Sequence, residues 1–241
     1  MAQDAKKTYW MYELQYFPLA LPFFFFLVGL VLFLVVLVQI HVLQYAYAKL
    51  GLSSTAALLL LLASLMGSYF NIPIAELPER EVKSGQVIDF FGMRYVVPLV
   101  ADWPRTVIAV NIGGAVIPSL LSLYLVLKNR IWSAAAVSTL VVTIACYLLA
   151  QPVPGIGIAI PWLVPPIIAS AVALLLARTN VAAVAYVSGS LGTLIGADLL
   201  NLGRIQGLGA PVASIGGAGT FDGVFLTGII AVLLASFSWR A

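Results

Sequence analysis

Long stretches of this chain carry no charge at all. From Leu14 to Ile40 there are 27 uncharged residues in a row, and further such runs cover 50–75, 106–127, 131–177 and 179–197. About 20 apolar residues suffice for one helix to cross a bilayer. The run 131–177 is 47 residues long and holds Gln151-Pro152-Val153-Pro154-Gly155 in its middle, so it reads as two spans and a link. In lipid every backbone N–H and C=O must be satisfied within the protein, which makes helices the default spanning element. The expected fold class is therefore all-α, a polytopic transmembrane helix bundle of about seven spans over 17–42, 53–70, 104–127, 131–150, 161–177, 180–201 and 222–239. Composition agrees: 62% of residues are hydrophobic and 9% charged, with mean hydropathy +1.08. Soluble domains carry about a quarter charged residues, so a water-soluble fold is excluded.

The whole chain, 1–241, reads as one integral membrane domain with a polar N-terminal segment (1–16) and a polar surface loop (71–103). The first span is too long for a signal-peptide core and lacks a small-residue cleavage pattern, so a retained helix is expected. Within the polar loop, Val87-Ile-Asp-Phe-Phe-Gly-Met-Arg-Tyr-Val-Val97 places a glycine between β-favouring residues and predicts a short hairpin on the membrane surface. The stretch Gln151–Pro161 has three prolines and two glycines, which argues for a re-entrant, non-helical segment.

The net charge is +3, yet the basic residues stand singly or in pairs without interleaved aromatics, so a nucleic-acid partner is excluded. The lipid bilayer of the cell membrane is the expected surrounding. Leaving out the long loop, Lys49, Lys128, Arg130, Arg178 and Arg240 fall on one side and Lys6, Lys7 and Arg204 on the other. Positive charge is retained on the cytoplasmic side, which predicts an external N-terminus and a cytoplasmic C-terminus. One cysteine and one histidine exclude an intrachain disulfide, a CxxC pair and a histidine-based triad. Cys146 reads as a small buried hydrophobe and His41 as an interfacial side chain. No metal or other cofactor is expected.

Seven of the nine acidic residues lie in the N-terminal segment or the 71–103 loop, which leaves Asp198 and Asp222 alone in the hydrophobic half. A carboxylate at membrane depth costs several kcal/mol unless it is paired, hydrated or protonated, so it marks a candidate site. Asp222 immediately precedes the last span, where a helix-capping role is the alternative. Asp198 and Asn201 are three apart and predicted to share a helix face, while Ser188, Gly192 and Gly196 form a small-residue stripe suited to close helix packing. Between the two aspartates, residues 203–223 include seven glycines, a loop able to fold back and expose its backbone. Its segment Ser214-Ile-Gly-Gly-Ala218 matches Asn111-Ile-Gly-Gly-Ala115 at an offset of 103 residues, the pattern of an internal repeat.

The runs Asn111-Ile-Gly-Gly-Ala-Val-Ile-Pro118, Pro152-Val-Pro-Gly-Ile-Gly157, Gly192-Thr-Leu-Ile-Gly-Ala-Asp-Leu-Leu-Asn201 and Gly216-Gly-Ala-Gly-Thr-Phe-Asp-Gly223 resemble an uncharacterised multi-pass membrane family of archaea and bacteria. That resemblance implies an integral membrane location and no particular activity. A more distant similarity is to the GxGD intramembrane aspartyl proteases, in which an Asp within one helix faces another that follows Gly-x-Gly. It implies catalytic roles for Asp198 and for Asp222 after Gly217-Ala-Gly219. Ala197 stands where the presenilin type has tyrosine, and Thr220-Phe221 separates Gly219 from Asp222.

Three readings follow. In the first, Asp198 and Asp222 share a proton and activate water against an amide of a membrane peptide. In the second, Asp198, Asn201, Asn111 and backbone groups of Gly217 and Gly219 bind a small cation or a proton-coupled solute, as in a transporter or channel. In the third, the aspartates cap helices in a structural protein.

Overall fold

The computed structural model describes residues 28–34, 36, 48–77, 87–90, 93–96, 106–153, 157–205, 212–217 and 223–238. Residues 28–34 and 36, within the first expected span, are helical. The remaining helices are α1 (Ser54–Gly67), α2 (Ile117–Asn129), α3 (Trp132–Leu149), α4 (Val164–Leu176), α5 (Val181–Thr193) and α6 (Gly223–Ser238). Their starts follow local chemistry. Ser53 Oγ accepts from the Ala56 N–H at 3.2 Å to cap α1, and α2 and α4 carry proline in their first turn, where no N–H is missed.

Helix α5 is the axis: every residue except Leu191 is buried, and α2, α3, α4 and α6 pack around it. The predicted small-residue stripe makes this possible on the α3 side. A Cβ at Gly192 would come within 2.6 Å of Val142 Cβ, and one at Gly196 would collide with the Thr143 carbonyl. Outward faces of the bundle are lined by large apolar side chains such as Leu120, Leu140, Leu148 and Leu175, the surface a lipid environment requires.

Three helices are long and apolar enough to cross a membrane: Ile112–Asn129, Trp132–Leu149 and Val181–Arg204. Shorter apolar helices cover Ser54–Gly67, Val164–Leu176 and Gly223–Ser236. The protein is thus mainly helical, with membrane-length helices, but it is not all-α. Strands β1 (Asn71–Leu77), β4 (Thr106–Asn111) and β7 (Val212–Ile215) form a sheet in the order β1-β4-β7. Strands β2 (Val87–Phe90) and β3 (Met93–Val96) form the expected hairpin, and β5 (Gln151–Val153) and β6 (Gly157–Ala159) a second one.

The main correction concerns the third span. Residues 106–111, expected to open a helix over 104–127, are the central strand β4, antiparallel to β1 and parallel to β7. Thr106-Val-Ile-Ala-Val is β-branched and apolar, and such a short run fits a buried strand as well as a helix. The chain becomes helical only through a π-turn at Ile112–Val116 that leads into α2. A second π-turn, Leu194–Asp198, interrupts the end of α5 before a 3-10 turn at Leu199–Arg204.

Candidate functional site

Short links between successive helices alternate the chain direction, so polar features sort to two ends. Lys49, Lys128, Arg130 and Arg178 belong to the links at one end, where Lys128 Nζ donates to the Gly51 carbonyl at 2.7 Å. At the opposite end, here called the foot, both π-turns meet the three-stranded sheet. Ile108 of β4, Ala115 and Leu194 of the two π-turns, Ile215 of β7 and Val224 of α6 form a hydrophobic cluster there, separate from the main core. Strand β6 also reaches the Leu194–Asp198 turn. All four motif segments singled out in the sequence therefore contribute to the foot.

Asn111 ends β4 and is 2% exposed. Its Oδ1 accepts from the Gly114 N–H at 2.8 Å, and its Nδ2 donates to the Ser68 carbonyl at 2.7 Å and to Asn71 Oδ1 at 3.1 Å. Ser214 Oγ donates to the same Asn71 Oδ1 at 2.6 Å, which ties β7 to β1 across β4. Ser64 Oγ donates to the Gly113 carbonyl at 2.6 Å. Gly113 admits this contact because a Cβ there would collide with the Ser64 carbonyl and the Ser68 N–H. Asn111 is thus the junction where a strand becomes a helix, with its amide spent on protein groups.

Asp198 is the last residue of the second π-turn and is partly buried. Its side chain does not cap the following 3-10 turn. It crosses instead to the turn just after β7, where Oδ2 accepts from the Gly216 N–H at 2.6 Å. Gly216 has φ +80, and a Cβ on it would lie 2.6 Å from the Ala115 nitrogen, so this position requires glycine on two counts. No cation pairs with Asp198 among the described residues, and none of them form a group of three His, Cys, Asp or Glu able to hold a metal ion. One carboxyl oxygen is therefore held by a backbone N–H, and the other has no hydrogen-bond partner among the described residues.

Asn201, expected to stand beside Asp198, is fully buried and turned onto its own backbone. Its Nδ2 donates to the carbonyls of Gly196 at 2.8 Å and Ala197 at 3.0 Å, while Oδ1 has no partner among the described residues. Both amide hydrogens are thereby spent on backbone carbonyls, and no hydrogen bond joins Asn201 to Asp198 among the described residues. Gly217 lies against Asn111, since a Cβ on it would be 3.1 Å from Nδ2. Asp222 and Gly219 lie outside the described residues. The structure thus brings Asp198, Asn111 and Gly217 to one junction and holds Asn201 behind it. Ser68 and Asn71 are members that the sequence did not single out, while Ser214 and Gly216 stand there only as part of the repeated and family-like runs. The two Ile-Gly-Gly-Ala segments do meet: β4 and β7 are parallel neighbours, each running toward a Gly-Gly turn, with Ser214 opposite Ala109 rather than Asn111.

A family model described as "Protein of unknown function (DUF1614)" matches residues 65–234. The chain belongs to this family. The match begins in the last turns of α1 and ends within α6, so the sheet, both Gly-Gly turns, Asp198 and Asn201 are all inside it. No curated protein and no solved structure matches the chain. The membrane-length helices and the family assignment agree with an integral membrane protein.

Proposed function

We propose that this chain is a seven-span integral membrane hydrolase of the aspartyl type, with Asp198 and Asp222 as its two carboxyl groups. The observation that carries this reading is the hydrogen bond from Gly216 to Asp198. It draws a lone acidic side chain away from helix capping and onto the segment that runs through Gly217-Ala-Gly219 to Asp222. Gly223, next after Asp222, opens α6, whose Val224 packs with Leu194 one turn before Asp198.

In the reaction, the ionised carboxyl takes a proton from water, the water oxygen bonds to an amide carbonyl carbon, and the protonated carboxyl delivers its proton to the departing nitrogen as the C–N bond breaks. Two neighbouring carboxyls divide one proton because both cannot ionise cheaply. Gly216 fixes one oxygen of Asp198, and the other, which no described residue bonds, is the one that would hold the water. The cation-binding reading has less support, because the Asn111 and Asn71 oxygens already accept from Gly114, Ser214 and Asn111 itself. With Lys49, Lys128, Arg130 and Arg178 at the end remote from Asp198, retention of positive charge on the cytoplasmic side puts the foot toward the cell exterior.

The test is cleavage by the purified protein, in detergent or lipid bicelles, of a mixture of single-span peptides followed by mass spectrometry. Asp198→Asn and Asp222→Asn are each expected to reduce cleavage by about 10²-fold or more. Cleavage that survives Asp198→Asn, or a protein that cleaves no member of the mixture, contradicts the proposal.

A further inference from the structure

We infer that Asn201 is the positioning residue for Asp198: its amide locks the π-turn that carries the carboxyl group, so Asn201 acts through backbone carbonyls rather than on a ligand. This rests on the hydrolase reading for its catalytic consequence and stands on geometry alone for its structural one.

The carbonyls of the turn and their donors can be followed one by one. A buried C=O without a donor is costly, so where a helix changes its winding the displaced carbonyls must find other partners. At the end of the π-turn, the Leu199 N–H donates to the Ile195 and Leu194 carbonyls. The next two carbonyls, of Gly196 and Ala197, are met by Asn201 Nδ2, whose two hydrogens are both used. Rotating the amide would put Oδ1 against two carbonyl oxygens, so the orientation is set by the donors. Oδ1 is left with no partner among the described residues in a fully buried position. The side chain thus accepts an unsatisfied oxygen in order to supply two donors to the residues immediately before Asp198.

From the other side, Gly196 is pressed onto the Thr143 carbonyl and Cys146 Cβ of α3, so the turn cannot relax outward. Asp198 is thereby held at two points, the Asn201 amide behind its backbone and the Gly216 N–H on its carboxyl. Releasing the first changes the aim of the second.

The test is hydrogen exchange of the full chain in detergent, read at the Gly216 amide, for Asn201→Ser, Asn201→Ala and Asn201→Asp. Serine keeps one donor for the carbonyl four residues back, alanine keeps none, and aspartate is isosteric but faces two carbonyls with an acceptor. Exchange at Gly216 is expected to rise about tenfold in Asn201→Ala, as for loss of one well-formed bond, and less in Asn201→Ser. Core amides of α3 and α5 are expected to stay unchanged in both. If Asn201→Asp does not fold, the serine–alanine difference decides. Gly216 exchange that is the same in Asn201→Ala as in the parent, or that rises together with every core amide, overturns the inference. With an active preparation, kcat is expected to fall and KM to hold in Asn201→Ala, with partial recovery in Asn201→Ser. Faster Gly216 exchange in a chain that cleaves nothing would leave the positioning role standing and remove the hydrolase.

Discussion

The two halves of the continuous helical stretch Val181–Arg204 solve different problems with similar residues. From Val181 to Thr193 the helix is regular, and nearly every side chain is buried against neighbouring helices. From Leu194 to Arg204 the winding becomes π and then 3-10, while the side chains reach backbone groups: Asp198 to Gly216, Asn201 to Gly196 and Ala197. A regular helix satisfies its own backbone and presents only side chains, which suits packing in lipid. An irregular one frees carbonyls and N–H groups and must bind them elsewhere, which is tolerable only where the result is protected by surrounding protein. The irregular winding thus falls at the foot, with the candidate site, and the regular half above it serves packing.

The strongest way to break that division is to disturb the contact both halves share with α3. Gly196→Val should collide with the Thr143 carbonyl and cost upwards of about 3 kcal/mol, read as loss of folded material in thermal unfolding. Gly192→Ala should be milder, because a single added methyl group meets Val142 Cβ at 2.6 Å and the nearest backbone atom, the Thr139 carbonyl oxygen, only at 3.2 Å. If the two were equal, the foot would be no more constrained than the packing surface above it.

Next in size is the strand-to-helix junction. Asn111→Ala removes the bonds to Gly114, Ser68 and Asn71 and leaves buried partners unmet, so a loss of about 2–4 kcal/mol is expected in denaturant titration. Asn111→Asp restores the Gly114 bond but not the two donated ones, and should fall between.

Asp198→Asn sharpens the comparison in the opposite sense. The amide oxygen still accepts from Gly216, so stability should stay within about 1 kcal/mol of the parent while cleavage is lost. The smallest effect belongs to the exposed pair at the rim of the foot. Arg204 lies over the Tyr147 ring and donates to its hydroxyl at 3.2 Å, and Arg204→Ala should change stability by no more than about 0.5 kcal/mol.

Much of the bundle was legible because a helix in lipid announces itself by length. Trp132–Leu149 lies within one residue of the expected 131–150 at each end, and Val164–Leu176 falls inside 161–177. The Val87–Val96 hairpin was legible from its glycine between β-favouring residues. Strand β4 was not, because Val107-Ile-Ala-Val110 has no period that separates a buried strand from a helix. Nor were the π-turns, since a change of winding leaves no mark on composition. Asp198 stood out as a lone acid, but its partner is a backbone N–H, which every residue except proline has, so nothing in the sequence pointed to Gly216. Asn201 is legible as a polar neighbour of Asp198, but that its amide serves the Gly196 and Ala197 carbonyls depends on winding that the sequence does not show.

The central claim is that the foot brings Asp198 and Asp222 together. Its most direct measurement is thiol cross-linking in a Cys146→Ser background, with Asp198→Cys and Asp222→Cys combined in one chain. The paired strand positions Ala109→Cys and Ser214→Cys serve as the positive control. A disulfide needs Cβ atoms about 3.5–4.5 Å apart, and a short bifunctional thiol reagent extends that reach. The account predicts an intramolecular cross-link between positions 198 and 222 comparable to the control. A control that cross-links while 198 and 222 do not, with either reagent, contradicts it.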